Sequence, residues 1–189
     1  MSISRSAALR HARWYRGCRL HRSSVPGLVR GWLLEPGSLT QRLRQGCPDG
    51  FHLDLLEQRL MRPLRDEALA LGRPSHEVAM VRQVRLCCKG VVWVHARTVI
   101  PLPSLERGLR RLTRLGARPL GEVLFADPTM TRGEVEVIRL TPGHFLHAQS
   151  GAAGDEVLWG RRSVFTLQRQ PLLVSEFFLP WLWRAGPGR

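Results

Sequence analysis

The sequence predicts an α+β fold, a six-stranded antiparallel sheet flanked by helices. Three observations predict it. Six segments show apolar runs or apolar–polar alternation of strand length. The links between several of them are short, one of them the turn Lys89-Gly90, and short links join antiparallel neighbours. Helical segments stand before and between groups of strands rather than after every strand, which argues against a parallel α/β sheet.

Taken in order, residues 1–25 are rich in Arg and Ser with weak periodicity. They predict a basic N-terminal arm in which no pattern demands order, ahead of a single domain over 26–189. Gly27 to Leu34 predicts a helix stopped by Pro36-Gly37. Ser38 can cap a second helix, with Gln41 completing a capping-box pattern and Gly46 ending it. Phe51, Leu53 and Leu55 alternate with His52 and Asp54 as the first strand. Glu77 to Cys88 and Val91 to Ile100 form a hairpin. Ser104 can cap a basic helix through Leu115, and Pro119 to Phe125 reads as a helical turn. Glu134 to Leu140 is the next strand, followed by a Gly/Ala-rich loop from Thr141 to Glu156. Leu158 to Leu167 and Leu172 to Leu179 form the last hairpin, and the apolar tail Trp181-Leu182-Trp183 packs back on the body. The helices are expected on one face of the sheet.

The 189 residues carry a formal charge of +14, yet Lys89 is the sole lysine among 29 basic residues. These charges are spread along the chain rather than gathered into a patch, and no nucleic-acid-binding motif accompanies them. The expected partner is a small anion, not nucleic acid. No apolar run is long enough to enter a membrane stably, and Met1 to Leu20 has no apolar core of a secretory signal, so a cytoplasmic protein is expected. Cys18, Cys47, Cys87 and Cys88 show no CxxC spacing and are expected as free thiols in a reducing compartment. His144 and His147 lie in a loop-like segment without an obvious third ligand, so no metal and no cofactor is expected.

The most informative residue is Glu176. It lies in Pro171-Leu-Leu-Val-Ser-Glu-Phe-Phe-Leu-Pro180, a strand apolar on both faces. A carboxylate there must be paired, hydrogen-bonded or neutralised. Arg82 likewise stands in an apolar row with Met80, Val84 and Leu86. Together they suggest two poles of a polar pocket for a ligand with a carboxylate, which Arg grips bidentately, and a hydroxyl. The plainer alternative is an Arg82–Glu176 ion pair that serves structure alone.

Six segments carry a resemblance: Leu33-Leu-Glu-Pro-Gly-Ser-Leu-Thr40, Val81-Arg-Gln-Val-Arg-Leu86, Ala96-Arg-Thr-Val-Ile-Pro101, Pro119-Leu-Gly-Glu-Val-Leu-Phe125, Leu158-Trp-Gly-Arg-Arg-Ser163 and the Pro171–Pro180 strand. In this order they resemble the chorismate pyruvate-lyase family over roughly residues 30–180. The resemblance implies a chorismate-lyase-like six-stranded sheet with the ligand enclosed beneath flaps. It implies elimination of pyruvate from chorismate to give 4-hydroxybenzoate for ubiquinone biosynthesis, by a monomer without metal or cofactor. Arg82 would bind the ring carboxylate with the Leu120 amide, Gly121 would keep that turn open, and Glu176 would face the ring hydroxyl. Leu39 stands where some members have a flap methionine. Arg97 is the candidate for the enolpyruvyl carboxylate, with a structural ion pair as its alternative. The rival reading is a non-catalytic sensor of the same fold, as in transcription regulators. A sensor of that kind follows a winged helix, and residues 1–30 do not read as one.

Overall fold

The structure, a computed structural model, describes residues 13–19, 25–152 and 154–184. Residues 1–12 and 20–24 of the expected basic arm lie outside the described residues. Within 13–19 the chain forms strand β1 (Tyr15–Arg16), which pairs with β6 (Glu136–Leu140). The other strands are β2 (Phe51–Met61), β3 (Ala79–Cys88), β4 (Val91–Pro101), β5 (Thr131–Arg132), β7 (Leu158–Leu167) and β8 (Gln170–Phe178).

All pair antiparallel in one sheet of order β1-β6-β7-β8-β4-β3-β2, with β5 lying end to end with β6 along β7. Among the described residues the sheet therefore has eight strands, not six. The two additional ones, β1 and β5, have two residues each, too few to show any periodicity. Lys89 and Gly90 turn the β3–β4 hairpin with positive φ at both positions, as a two-residue hairpin turn requires. Gln168 and Arg169 do the same between β7 and β8 without a glycine.

Helices cover both faces, not one. On the first face lie α1 (Gly27–Leu33), α2 (Leu39–Gly46), α4 (Leu102–Glu106), a 3-10 turn Leu109–Arg114, α5 (Leu120–Ala126) and α7 (Trp181–Arg184). On the rear face lie α3 (Arg65–Ala70) and α6 (Phe145–Ser150). Covering on both sides explains why β3 is buried at almost every position rather than alternately.

The local chemistry explains the helix ends. Ser38 Oγ accepts from the Gln41 amide at 3.3 Å, as its spacing predicts. The basic helix expected from Ser104 to Leu115 is instead broken at Gly108, whose φ is 140°. Ser104 donates to the Pro171 carbonyl at 2.9 Å rather than capping. The expected loop 141–156 contains α6, where His144 Nδ1 accepts from the Leu146 amide at 3.1 Å. Cys47 and Cys88 are not free thiols. They form a disulfide with Cα atoms 6.0 Å apart, joining the end of α2 to the end of β3. Their separation of 41 residues gives no such signal in the sequence.

Candidate active site

The first-face core divides into two apolar clusters. One lies beneath α1, α2 and α7, the other beneath α4, the 3-10 turn and α5. A cavity of about 50 Å³ lies at their junction, roofed by Leu39 and Thr40 of α2 and by Leu120, Gly121 and Leu124 of α5. A dry cavity of about 150 Å³ takes a benzene ring. A ring-sized ligand therefore needs more room than this cavity offers, and side chains of its lining must shift to admit one.

Strand register sets the floor. One row across the sheet runs Val84, Ala96, Glu176, Arg161, and the next runs Arg82, Thr98, Val174, Ser163. Arg82 and Glu176 thus share the cavity face two strands apart and one pleat out of line. Strand spacing puts their Cα atoms about 12 Å apart. Both line the cavity, with small Ala96 and Thr98 between them.

Arg82 is 2% exposed. Its Nη1 donates to Gln58 Oε1 at 3.2 Å and the Gly116 carbonyl at 2.9 Å, and its Nη2 to the Arg118 carbonyl at 3.1 Å. These acceptors are neutral, and no carboxylate pairs with Arg82 among the described residues. Nε–H and one Nη2–H have no protein acceptor there, which leaves the guanidinium two donors for a ligand. Desolvation by burial pushes the Arg82 pKa below the usual guanidinium value.

The opposite end holds two arginines that the sequence reading did not single out. Arg161, 2% exposed, donates from Nε to Glu176 Oε2 at 2.5 Å, and from Nη1 to the Trp32 and Glu35 carbonyls at 3.1 and 2.8 Å. Arg132 donates from Nε to Ser163 Oγ at 3.1 Å and from Nη1 to the Glu35 carbonyl at 2.9 Å. Its pKa is pushed down, chiefly by burial and then by Arg161, against the pull of Glu176 and Glu35. The partner of Glu176 is therefore Arg161, and an Arg82–Glu176 pair does not form. Arg161 was legible only as part of the motif Trp159-Gly-Arg-Arg-Ser163, where register decides which arginine faces inward.

Leu120 is the first residue of α5, so its amide has no acceptor within the helix. Gly121 lines the cavity, and a Cβ there would stand 3.3 Å from both Ser38 Oγ and Thr40 Oγ1, so it also lets the two roof helices approach. Leu39 lines the cavity and is buried.

Arg97 is not brought to the cavity. It lies on the rear face, 1% exposed, with Nε and Nη2 donating to the Glu67 carboxylate at 2.6 and 3.1 Å. The physical reason is a β-bulge. The hairpin starts in the register Cys88↔Val91 and Cys87↔Val92, then slips to Leu86↔Val94, so Arg82 faces Thr98. Without the slip Arg82 would pair with Arg97, and the two would share a face.

The charged lining is thus Arg82, Arg132, Arg161 and Glu176, with a net charge of +2 when all four are ionised (three arginines less one carboxylate). Such a cavity suits an organic dianion that also carries a hydroxyl. No helix among the described residues is long and apolar enough to cross a membrane.

The chain is 43% identical to a Pseudomonas fluorescens protein over 168 residues, 88% of each chain. It is 40% identical to one from Thiobacillus denitrificans over 185 residues, 96% of this chain and 98% of the other. Both relatives bear the name "Probable chorismate pyruvate-lyase". Among solved structures, the ligand-binding domain of a GntR-family transcriptional regulator from Bordetella bronchiseptica matches with a TM-score of 0.52 at 18% identity, over 69% of this chain and 84% of that one. The C-terminal domain of a histidine utilization repressor from Pseudomonas syringae matches with a TM-score of 0.53 at 13% identity, over 69% and 92%. These two show the fold alone. The family model for chorismate lyase matches residues 8–186, and the chain belongs to the chorismate lyase family.

Proposed function

We propose that the protein eliminates pyruvate from chorismate to give 4-hydroxybenzoate, the reaction that opens ubiquinone biosynthesis. The observation that carries this reading is the doubly cationic cavity with arginines at both ends and a carboxyl at one of them. Chorismate is a dianion with a ring carboxylate, a ring hydroxyl and an enolpyruvyl ether carrying the second carboxylate. Arg82 and the Leu120 amide hold the ring carboxylate. Glu176 holds the 4-hydroxyl. Arg132 and Arg161, rather than Arg97, face the enolpyruvyl carboxylate through Nη2 groups that have no acceptor among the described residues.

In the elimination, the ring C4–H proton leaves and its electron pair closes the C3–C4 double bond. The C3–O bond breaks, and the pair departs on the enolpyruvate oxygen, which becomes pyruvate on protonation. The gain in aromaticity drives the step. The protein's part is to fix one ring conformer and to stabilise the departing anion with dipoles and charges already in place. Arg161 and Arg132 serve that end, and Glu176 is placed to relay the proton.

Incubating the purified chain with chorismate should yield 4-hydroxybenzoate and pyruvate in equal amounts. Saturable binding of chorismate without product would instead make the chain a sensor, in keeping with the regulator domains that share its fold. Turnover of Glu176→Gln equal to wild type would eliminate the proton relay, because the amide can hold the hydroxyl but cannot take up the C4–H proton. An enclosed cavity should also retain 4-hydroxybenzoate, so added product should slow the reaction.

A further inference from the structure

Away from the cavity, the outer strand pair gathers three donors of metal-binding type on its rear face. His52 and Asp54 are two residues apart on β2 and leave the same face. Register sets His52 opposite Cys87 of β3. His52 Nε2 lies 3.8 Å from Asp54 Oδ2, and Cys87 Sγ lies 3.5 Å from the same oxygen. The three donor atoms all lie within 4.8 Å of one another.

We propose that His52 Nε2, Asp54 Oδ2 and Cys87 Sγ form a three-ligand site for a divalent transition metal of the zinc class, with water in the fourth position. Ideal geometry supports the fit. Tetrahedral zinc, about 2.0 Å from nitrogen and oxygen and about 2.3 Å from sulfur, sets N and O ligands about 3.3 Å apart and S and O about 3.5 Å apart. The two edges that meet at Asp54 Oδ2 already stand near those values, and the third, from His52 Nε2 to Cys87 Sγ, lies within 4.8 Å and closes by a turn of the exposed imidazole. The imidazole is also oriented for the task. Its Nδ1 lies 3.3 Å from the Gly50 carbonyl, which can only accept, so the ring hydrogen sits on Nδ1. Nε2 then offers its lone pair to the cluster, the arrangement usual for a metal-bound histidine. The mixed N, O and S donor set favours zinc-like ions over magnesium or calcium.

The charges also balance. The Asp54 carboxylate and a Cys87 thiolate neutralise a divalent ion, and the thiol proton passes to solvent on binding. Arg85 stands opposite Asp54 in the ladder and would oppose a cation. Its guanidinium, however, reaches toward the turn after α6, where a Cβ on Gly151 would lie 2.7 Å from Arg85 Nη2. Cys87 is buried while His52 and Asp54 are about half exposed, so an ion can enter from solvent and still meet a shielded sulfur. An ion held there joins the outermost strand, which has one neighbour, to the rest of the sheet.

The test uses the full chain under non-reducing conditions with Cys18→Ser as background, because Cys18 is an exposed thiol outside the Cys47–Cys88 disulfide. Titration with Co2+ should produce a thiolate-to-cobalt charge-transfer band that saturates at one equivalent and is displaced by Zn2+. Cys87→Ser should abolish the band. His52→Ala, a change at an exposed position, should weaken Co2+ binding by at least about tenfold. Zn2+ should raise the thermal midpoint of the background protein and not that of either variant. Absence of the band at millimolar Co2+, its survival in Cys87→Ser, or unchanged affinity in His52→Ala would each overturn the site.

Discussion

The two faces of the sheet each bury an arginine, and they treat it in opposite ways. On the rear face Arg97 closes on Glu67, and the two side chains are 1% and 3% exposed. On the cavity face Arg82 is as deeply buried, but its partners are an amide oxygen and two backbone carbonyls. One charge is neutralised within the protein. The other is held in position by neutral acceptors, and in the function we propose its counter-charge comes from the ligand. Burial therefore does not mark a functional arginine; the source of its counter-ion does.

The largest expected effect comes from breaking the closed pair. Glu67→Ala strands the Arg97 charge and also frees the Leu64 amide, which donates to Glu67 Oε2 at 2.8 Å. A loss of roughly 3–5 kcal/mol in urea unfolding is expected, with turnover per folded molecule little changed. A neutral result would mean that the rear pair is no more structural than Arg82.

Arg82→Ala should show the reverse pattern. Loss of a bidentate, desolvated contact to a carboxylate should lower kcat/KM by roughly 10²-fold, about 3 kcal/mol. Stability should fall by less than in Glu67→Ala, because three neutral acceptors lose a donor but no charge is left stranded. The contrast between the faces breaks if this variant unfolds as readily as Glu67→Ala while keeping its activity per folded molecule.

The rear face also carries a buried base. His95 is 0% exposed, stacks on Phe177 at 5.9 Å, and neither ring nitrogen has a hydrogen-bond partner among the described residues. Burial first, then Arg85 and Arg97, lower its pKa from 6.5 to about 4. The sign follows from linkage. Below pH 6.5 the unfolded chain takes up a proton that the folded chain refuses, so stability is complete above 6.5 and falls until about pH 4, where the folded state also protonates. The loss amounts to roughly 3 kcal/mol over that window. His95→Phe should flatten it, as read from urea midpoints across the range. A slope that survives the substitution would assign the effect to other groups.

Much of this contrast was legible in the sequence, and register explains most of what was not. Long runs gave β3, β4, β7 and β8, and Arg82 and Glu176 stood out as charges in apolar rows. The bulge between Leu86 and Cys87 leaves no mark in the composition, yet it moves Arg97 to the face opposite Arg82. Helix α3 was missed because its cap comes from within: Leu64 offers no side-chain acceptor, and Glu67 reaches back to its amide. Helix α6 was hidden in a Gly/Ala-rich stretch where a histidine performs the capping. Arg132 ends the two-residue strand β5, too short for alternation to show which way it faces.

The smallest effect probes the cavity roof, where the open face differs most from the closed one. At Gly121 an added methyl would meet Ser38 Oγ and Thr40 Oγ1 at 3.3 Å, tighter than ordinary contact and with two different neighbours to move. Ser38 yields poorly, since its hydroxyl also caps α2. Alanine would meanwhile favour the helical backbone of α5 by up to about 1 kcal/mol relative to glycine, so overall stability should hardly change. The crowding acts instead on closure of α2 against α5. A cost of about 1 kcal/mol there translates into roughly fivefold weaker retention of 4-hydroxybenzoate. Inhibition by added product should weaken by that factor in Gly121→Ala, while Arg82 and Glu176 keep their places. Unchanged product inhibition would mean that the two helices do not hold the ligand in, and that the arginines alone retain it.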